Sequence, residues 1–397
     1  MSLLLKNCRL VSENGLKHIL IENGIITAVS DESLEADSVM DVKGKYVLPG
    51  LIDCHVHFRE PGMDYKEDWL TGSRAAVSGG VTTVLDMPNT KPATLTRKLL
   101  DEKKKLAQKS VVNYGFHFGS SKNNIDEIKK AEGIASVKVY MDHTTGDLLI
   151  EDDEVLEKIF MAAKVITVHA EGDNVKKAVE LAKKHSVRLY LCHVSKKKEI
   201  EYLKKNKTEN IFVEVTPHHL FLTSKDAEAL GWLAKMKPEL GTEEDRAALW
   251  EALKEGLVDT IGTDHAPHSA KEKEGCYGVP GVETMLPLLL NAVNEGKITL
   301  AKVVELTSVN PAKIFAIKNK GRIEEGYDAD LVIVDMELKK NVDNAELFTK
   351  CRWSPFNGKT LKGWPVMTIV NSEIVYNKNN KNKIKDVKAK GVEYYEF

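Results

Sequence analysis

Apolar and polar positions along this chain follow two different grammars. From Leu3 to Asp31, LLLKNCRLVSENGLKHILIENGIITAVSD, they alternate in short runs around an Asn23-Gly24 pair, the pattern of consecutive hairpins, and the stretch contains no convincing helix. The end of the chain repeats this grammar in DADLVIVDMEL and VMTIVNSEIVYN, with a turn expected at Asn371-Ser372. Between Pro49 and Lys318 the pattern changes. Short β-branched runs alternate there with helical stretches such as IDEIKKAEG, DDEVLEKIFMAA and NVKKAVELAKKH.

The strand candidates of this middle region are GLIDCHVHF, VTTVLDMPN, VVNYGFHFG, SVKVYMD, VITVHAE, RLYLCHVS, IFVEVTPHH and VDTIGTDHAPH, which makes eight. Eight parallel strands close a barrel, and the stretch approaches the roughly 250 residues typical of that fold. An open doubly wound sheet would need a glycine-rich phosphate loop after its first strand, where this chain has HVHFREPG. The expected fold is therefore α/β: a (β/α)8 TIM-like barrel over residues 49–318, with a small β-sandwich domain assembled from residues 1–48 and 319–397. The lysine- and asparagine-rich NKNNKNKIKDVKAKG is expected to form a solvated tail.

A length of 397 residues, 42% of them hydrophobic, allows a large core, and a net charge of −2 comes from charges mixed in sign. Without an arginine-rich arm or a basic stripe, nucleic acid is not an expected partner. Five scattered cysteines do not make a disulfide framework and favour a reducing compartment. The opening apolar run is too short for a signal region and no later stretch reaches a membrane-spanning length, so a cytoplasmic location is expected.

The chemistry lies in where the potential ligands fall. His55, His57, Lys138, His169, His193 and Asp264 all sit at or just past the ends of separate strand candidates, the catalytic face of a barrel. Strand alternation puts His55 and His57 on one side, where both imidazoles can bind one ion, and His169 and His193 supply two nitrogens for a second. Asp264 follows an apolar strand, where a carboxylate costs free energy to bury unless it serves a metal or moves a proton. The neighbouring His265 reads as packing, whereas His268 can face a substrate. Lys138 would repel a cation when protonated. As a free amine beside cations it can add carbon dioxide, and the resulting carbamate can bridge two ions. Asp142, four residues on and on the same face, is an alternative bridge that periodicity does not exclude.

With these residues in place the chain resembles the amidohydrolase superfamily and, within it, the dihydroorotase family. DCHVHFREPG, DMPNT, GFHFG, SVKVYM, VHAEGD, LCHVS, EVTPHHL, GTDHAPHSAKEK and GVPGVETMLPLLL read in order as that family's motifs. The resemblance implies two zinc ions per subunit, one held by His55 and His57 and the other by His169 and His193. It further implies a bridging carbamate on Lys138, and Asp264 as both ligand and acid–base group. Arg59, Asn89 and His268 are implied to hold a substrate carboxylate, and the Tyr277-Gly278 backbone to contact its ring. Lys237 in KMKPELG and the loop YMDHTTGD depart from the family's pattern.

The activity so implied is reversible cyclisation of N-carbamoyl-L-aspartate to L-dihydroorotate in pyrimidine biosynthesis, with aspartate transcarbamoylase as a candidate partner. Allantoinase and hydantoinase are the nearest rival activities, and their substrates generally lack the carboxylate that Arg59 would bind. A non-catalytic paralogue is a third reading, but such proteins usually have broken ligand sets.

Overall fold

The computed structural model describes residues 2–11, 13–144, 146–380 and 384–396. Its N-terminal strands are β1 (Ser2–Cys8), β2 (Lys17–Glu22), β3 (Ile25–Ser30), β4 (Ser38–Asp41) and β5 (Tyr46–Pro49). The barrel is built from β6 (Leu51–Val56), β7 (Val81–Asp86), β8 (Asn113–Gly119), β9 (Ser136–Tyr140), β10 (Val165–His169), β11 (Arg188–Leu191), β12 (Ile211–Val215) and β13 (Thr260–Ile261). Three strands follow it, β14 (Leu331–Asn341), β15 (Thr360–Val370) and β16 (Glu373–Asn377).

The barrel strands pair in parallel in chain order, and a parallel bridge between Val56 and His265 joins the last edge to the first. All eight expected strands are present, though several are shorter than their apolar runs. The chain leaves β12 at Val215 because Thr216 caps a short helix, Pro217–Phe221, with proline in its first turn, so the PHH of IFVEVTPHH is helical. The stretch after β13 is loop. IDEIKKAEG forms only the short helix Ile125–Lys129, whose N-cap Asn124 makes no side-chain capping bond.

Two further sheets lie beside the barrel. One has the order β3-β2-β1-β4 and the other β16-β15-β14-β5, so β5 joins the three C-terminal strands. Asn23 and Gly24 both have positive φ in the β2–β3 turn, as do Asn371 and Ser372 in the β15–β16 turn, which gives each hairpin the twist of a primed turn. Leu5, Ile19, Ile21 and Ile26 from one sheet pack with Val47, Leu331, Ile333 and Ile369 from the other, making a small sandwich core. Gly50 links β5 to β6. A Cβ there would lie 2.2 Å from Thr82 Oγ1, so the crossing from sandwich to barrel tolerates no side chain.

The solvated tail is a correction. Lys381, Asn382 and Lys383 lie outside the described residues, but the chain beyond them is paired first to β16 and then to the barrel. Ile384 bridges Tyr376, Tyr114 donates to Lys390 O (3.1 Å) and accepts from the Val392 amide (2.9 Å). Val392 and Tyr394 pack against a buried cluster containing Ile52, Leu85, Tyr190 and Phe315 at the barrel's N-terminal mouth. The apolar residues that do this are too sparse to show a period, so the lysines around them dominate the sequence pattern.

One buried ion pair supports the site from below. Lys103 Nζ lies 2.5 Å from Asp86 Oδ2, both side chains are fully buried, and Asp86 Oδ1 accepts the Phe58 amide at the turn that leads into Arg59. Lys103→Met keeps the stem but strands the carboxylate. It is expected to destabilise the fold by about 3–5 kcal/mol, the usual loss when one partner of a buried pair is removed. Urea denaturation checks this, and a change below about 1 kcal/mol would show that Asp86 is not held by Lys103. Among the described residues, no helix is long and apolar enough to cross a membrane.

Candidate active site

The C-terminal ends of the barrel strands bring His55, His57, Arg59, Asn89, Lys138, His169, His193, Asp264, Tyr277 and Gly278 around one cleft. Tyr140, Thr144 and Lys237 line it as well. Asp53, which precedes the histidines, serves the closure instead. Its carboxylate accepts the Thr263 hydroxyl (2.5 Å) and amide (3.0 Å), so β6 is latched to the residue before Asp264. Asp264 has φ +46°, and the turn that this strained value makes aims its carboxylate at the barrel axis.

The hydrogen bonds of His55 and His57 fix their tautomers. His55 Nδ1 donates to the Glu214 carboxylate (2.9 Å) and His57 Nδ1 to Asn89 Oδ1 (2.7 Å). In the neutral rings both Nε2 atoms would carry lone pairs, and both face the same oxygen, Asp264 Oδ1, at 3.1 and 2.9 Å. Burial lowers the His55 imidazole, but Cys192, Asp264 and Glu214 outweigh it and hold it well above its usual value, so without a cation a proton sits on that Nε2. Two lone-pair nitrogens turned toward a carboxylate oxygen repel one another unless a proton or a cation lies between them. Nitrogen and carboxylate donors at this spacing fit a zinc-type ion, and the buried trio His55, His57 and Asp264 can hold one.

The second pair is close by. The rings of His169 and His193 stand 4.5 Å apart, and that of His193 lies 5.4 Å from His55. Among the described residues His193 Nδ1 is buried without a hydrogen-bond partner, an orphan that a metal would satisfy. Burial pushes the His57 imidazole down to about 3 and that of His193 well below its usual value, so both are neutral bases through the physiological range. Burial raises the Asp264 carboxyl, but His55 and His57 beside it outweigh this and hold it well below the ordinary carboxylate range.

Lys138 is 1% exposed in the middle of β9, with Nζ 3.0 Å from Cys192 Sγ and 5.1 Å from the centre of the Tyr140 ring. No carboxylate pairs with it among the described residues. Asp142 is engaged elsewhere. Its carboxylate accepts the Glu171 amide (2.7 Å) and Asn174 Nδ2 (2.9 Å), organising the start of the helix Asp173–His185, and Asp142 does not line the cleft.

On the opposite wall Arg59 is 2% exposed and has φ +64°. Its Nε donates to Pro267 O (3.3 Å) and its Nη2 lies 3.0 Å from His268 Nε2, but no carboxylate pairs with it among the described residues. Lys66 Nζ lies 3.1 Å from His268 Nδ1. Burial between these two cations pushes the His268 imidazole down to about 2, so it stays neutral. Tyr277 O lies 2.9 Å from His268 Nε2, and the Gly278 amide donates to Lys235 O (3.0 Å), which turns that N–H away from the cleft. Gly278 has φ +125°, and a Cβ there would meet Ala266 Cβ at 2.5 Å.

One residue was not anticipated from the sequence. Glu214, fully buried in β12, accepts from His55 Nδ1, from the His193 amide (2.9 Å) and from the Tyr190 hydroxyl (2.8 Å). The signal was available, since a carboxylate inside the apolar run IFVEV carries the same burial cost that singled out Asp264.

The amidohydrolase family profile matches residues 46–375. The chain is 37% identical to the dihydroorotase of Methanosphaera stadtmanae, with 96% of this chain and 97% of that protein covered. It is 41% identical to the dihydroorotase of Pyrococcus horikoshii, with 89% and 87% covered. Among solved structures, the L-hydantoinase (dihydropyrimidinase) from Arthrobacter aurescens superposes with a TM-score of 0.93 at 30% identity, covering 98% of this chain and 99% of that one. Sequence relatives and structural neighbours thus carry the names of two different ring-opening activities, and residues inside the cleft have to discriminate between them.

Proposed function

The chain belongs to the amidohydrolase family and, within it, to the dihydroorotases; from that premise we propose that it interconverts N-carbamoyl-L-aspartate and L-dihydroorotate, the ring closure of pyrimidine biosynthesis. The observation that carries this over the hydantoinase reading is Arg59. A buried guanidinium facing a cleft, with no carboxylate paired to it among the described residues, is suited to a carboxylate on the substrate.

His55 and His57 would hold one zinc ion and His169 and His193 a second, with Lys138, as its carbamate, between them. Zinc supplies a Lewis acid there, lowering the pKa of a water and polarising the ring carbonyl. The protein does the rest. In the hydrolytic direction Asp264, ionised, takes a proton from the attacking water and delivers it to the ring nitrogen as the C–N bond breaks; in cyclisation the same proton returns. Arg59 grips the substrate carboxylate in bidentate fashion, with Asn89 and neutral His268 beside it, and so sets the reacting carbonyl over the histidines. Because the Gly278 amide is taken by Lys235 O, contact with the ring falls to the carbonyls of Tyr277 and Gly278. On the same reading the setting is cytoplasmic, and aspartate transcarbamoylase is the partner to seek by co-purification.

Rates on L-dihydroorotate, hydantoin and allantoin, measured side by side, test the assignment. Faster hydrolysis of either uncarboxylated ring would overturn it. Arg59→Lys keeps the charge and loses the planar fork, so kcat/KM for dihydroorotate is expected to fall by about tenfold or more. Near-wild-type kinetics in that variant would remove Arg59 from the carboxylate site.

A further inference from the structure

We propose that Trp353, on the connection between β14 and β15, is a positioning residue for the carboxylate pocket: with Lys350 it fixes the separation of the two loops that carry His268 and Arg59. The inference rests on the roles given above to those two residues. Arg59 lines the cleft, His268 stands behind it against the guanidinium, and Trp353, which does not line the cleft, acts through them.

Residues 342–359 leave the small sandwich and cross to the catalytic face of the barrel. There Trp353, 5% exposed, donates its indole N–H to the backbone carbonyl of His268 at 2.8 Å. A buried indole needs an acceptor, and the acceptor it has belongs to the loop of the pocket. The same ring belongs to the buried cluster that contains Met236, next to Lys237, and Val279, next to Gly278.

The second tether is on the facing wall. Lys350 Nζ donates to Asp64 O (2.6 Å) and Asp68 Oδ2 (2.5 Å), both in the segment that follows the Arg59 turn. Buried Glu67, in that segment, accepts from the Thr349 hydroxyl (2.5 Å) and the Lys350 amide (3.2 Å). On the barrel side Glu283 accepts the Phe348 and Thr349 amides (2.9 and 2.8 Å). One short run of chain therefore holds both walls of the pocket, bound at Lys350 to the Arg59 side and at Trp353 to the His268 side. Within the pocket Lys66 Nζ spans the same gap to His268 Nδ1 at 3.1 Å.

Trp353→Phe keeps an aromatic ring and removes the N–H. It is expected to raise KM for dihydroorotate about three- to tenfold, the range for loss of one buried hydrogen bond, with kcat within about twofold of wild type. In an Arg59→Lys background the added effect on KM should shrink below about twofold, because both changes act on one pocket. Lys350→Met, made at a part-exposed side chain, should show the same KM-selective loss and carries the test if Trp353→Phe does not fold. Unchanged KM in the soluble variants overturns the proposal, as does a parallel fall of kcat and KM effects that add fully to Arg59→Lys with a lowered Tm, the mark of a purely structural tryptophan. Failure of the functional reading is separate, because it shows as absence of dihydroorotate turnover in the wild-type protein before any variant is made.

Discussion

Stripping the protein of metal with a chelator is expected to abolish turnover of dihydroorotate, and adding zinc back is expected to restore it. The reason is in the tautomers. The Nδ1 protons of His55 and His57 are committed to Glu214 and Asn89, so the two Nε2 atoms converge on one Asp264 oxygen, where a proton on His55 takes the place of a cation in the metal-free protein. Without a cation this cluster has no means of making a nucleophile from water at neutral pH. The check is activity beside metal content measured by elemental analysis. Full activity in verified metal-free protein would sink the mechanism, whatever the substrate.

Lys138→Ala should remove most activity and part of the bound metal, whereas Asp142→Asn should be mild by comparison. Lys138 is a buried amine with a thiol and an aromatic ring for neighbours, and no carboxylate pairs with it among the described residues; its carbamate would supply an anionic oxygen donor for a metal. Asp142 is occupied in holding the Glu171 amide and the Asn174 side chain. Short carboxylic acids such as propionate should partly rescue Lys138→Ala by placing a carboxylate in the vacated space. An unmodified lysine found by intact mass in fully metallated, active protein would refute the carbamate and return the bridging role to Asp142.

The barrel was legible because its strands are apolar on both faces and end in residues that apolar strands do not otherwise carry. His55, His169 and Asp264 stood out for that reason, and the same cost of burial would have found Glu214 had it been applied inside a strand as well as at its end. Lys138 was legible only by position, since nothing in SVKVYM itself says that no carboxylate pairs with its amine among the described residues. The tail was misread because Ile384 docks on β16 and Val392 and Tyr394 on the barrel mouth, one at a time, and isolated contacts leave no periodicity. Trp353 left no trace of its contact with His268, because a hydrogen bond between distant loops is written in the tertiary fold alone.

The pairing of β5 with β14 has a consequence for how the molecule is made. Residues Tyr46–Pro49 emerge from the ribosome long before the strand they lie against, Leu331–Asn341, because the whole barrel is synthesised between them. At the translation rates of about 5–20 residues per second this leaves β5 without its partner for tens of seconds. During that wait its exposed edge and the unpaired inner face of β1 and β2 are the surfaces most open to association with another nascent chain. A barrel that forms first would bring Gly50 and the exit of its last helix together, so the long loop is closed before the sandwich has to find its partner strands.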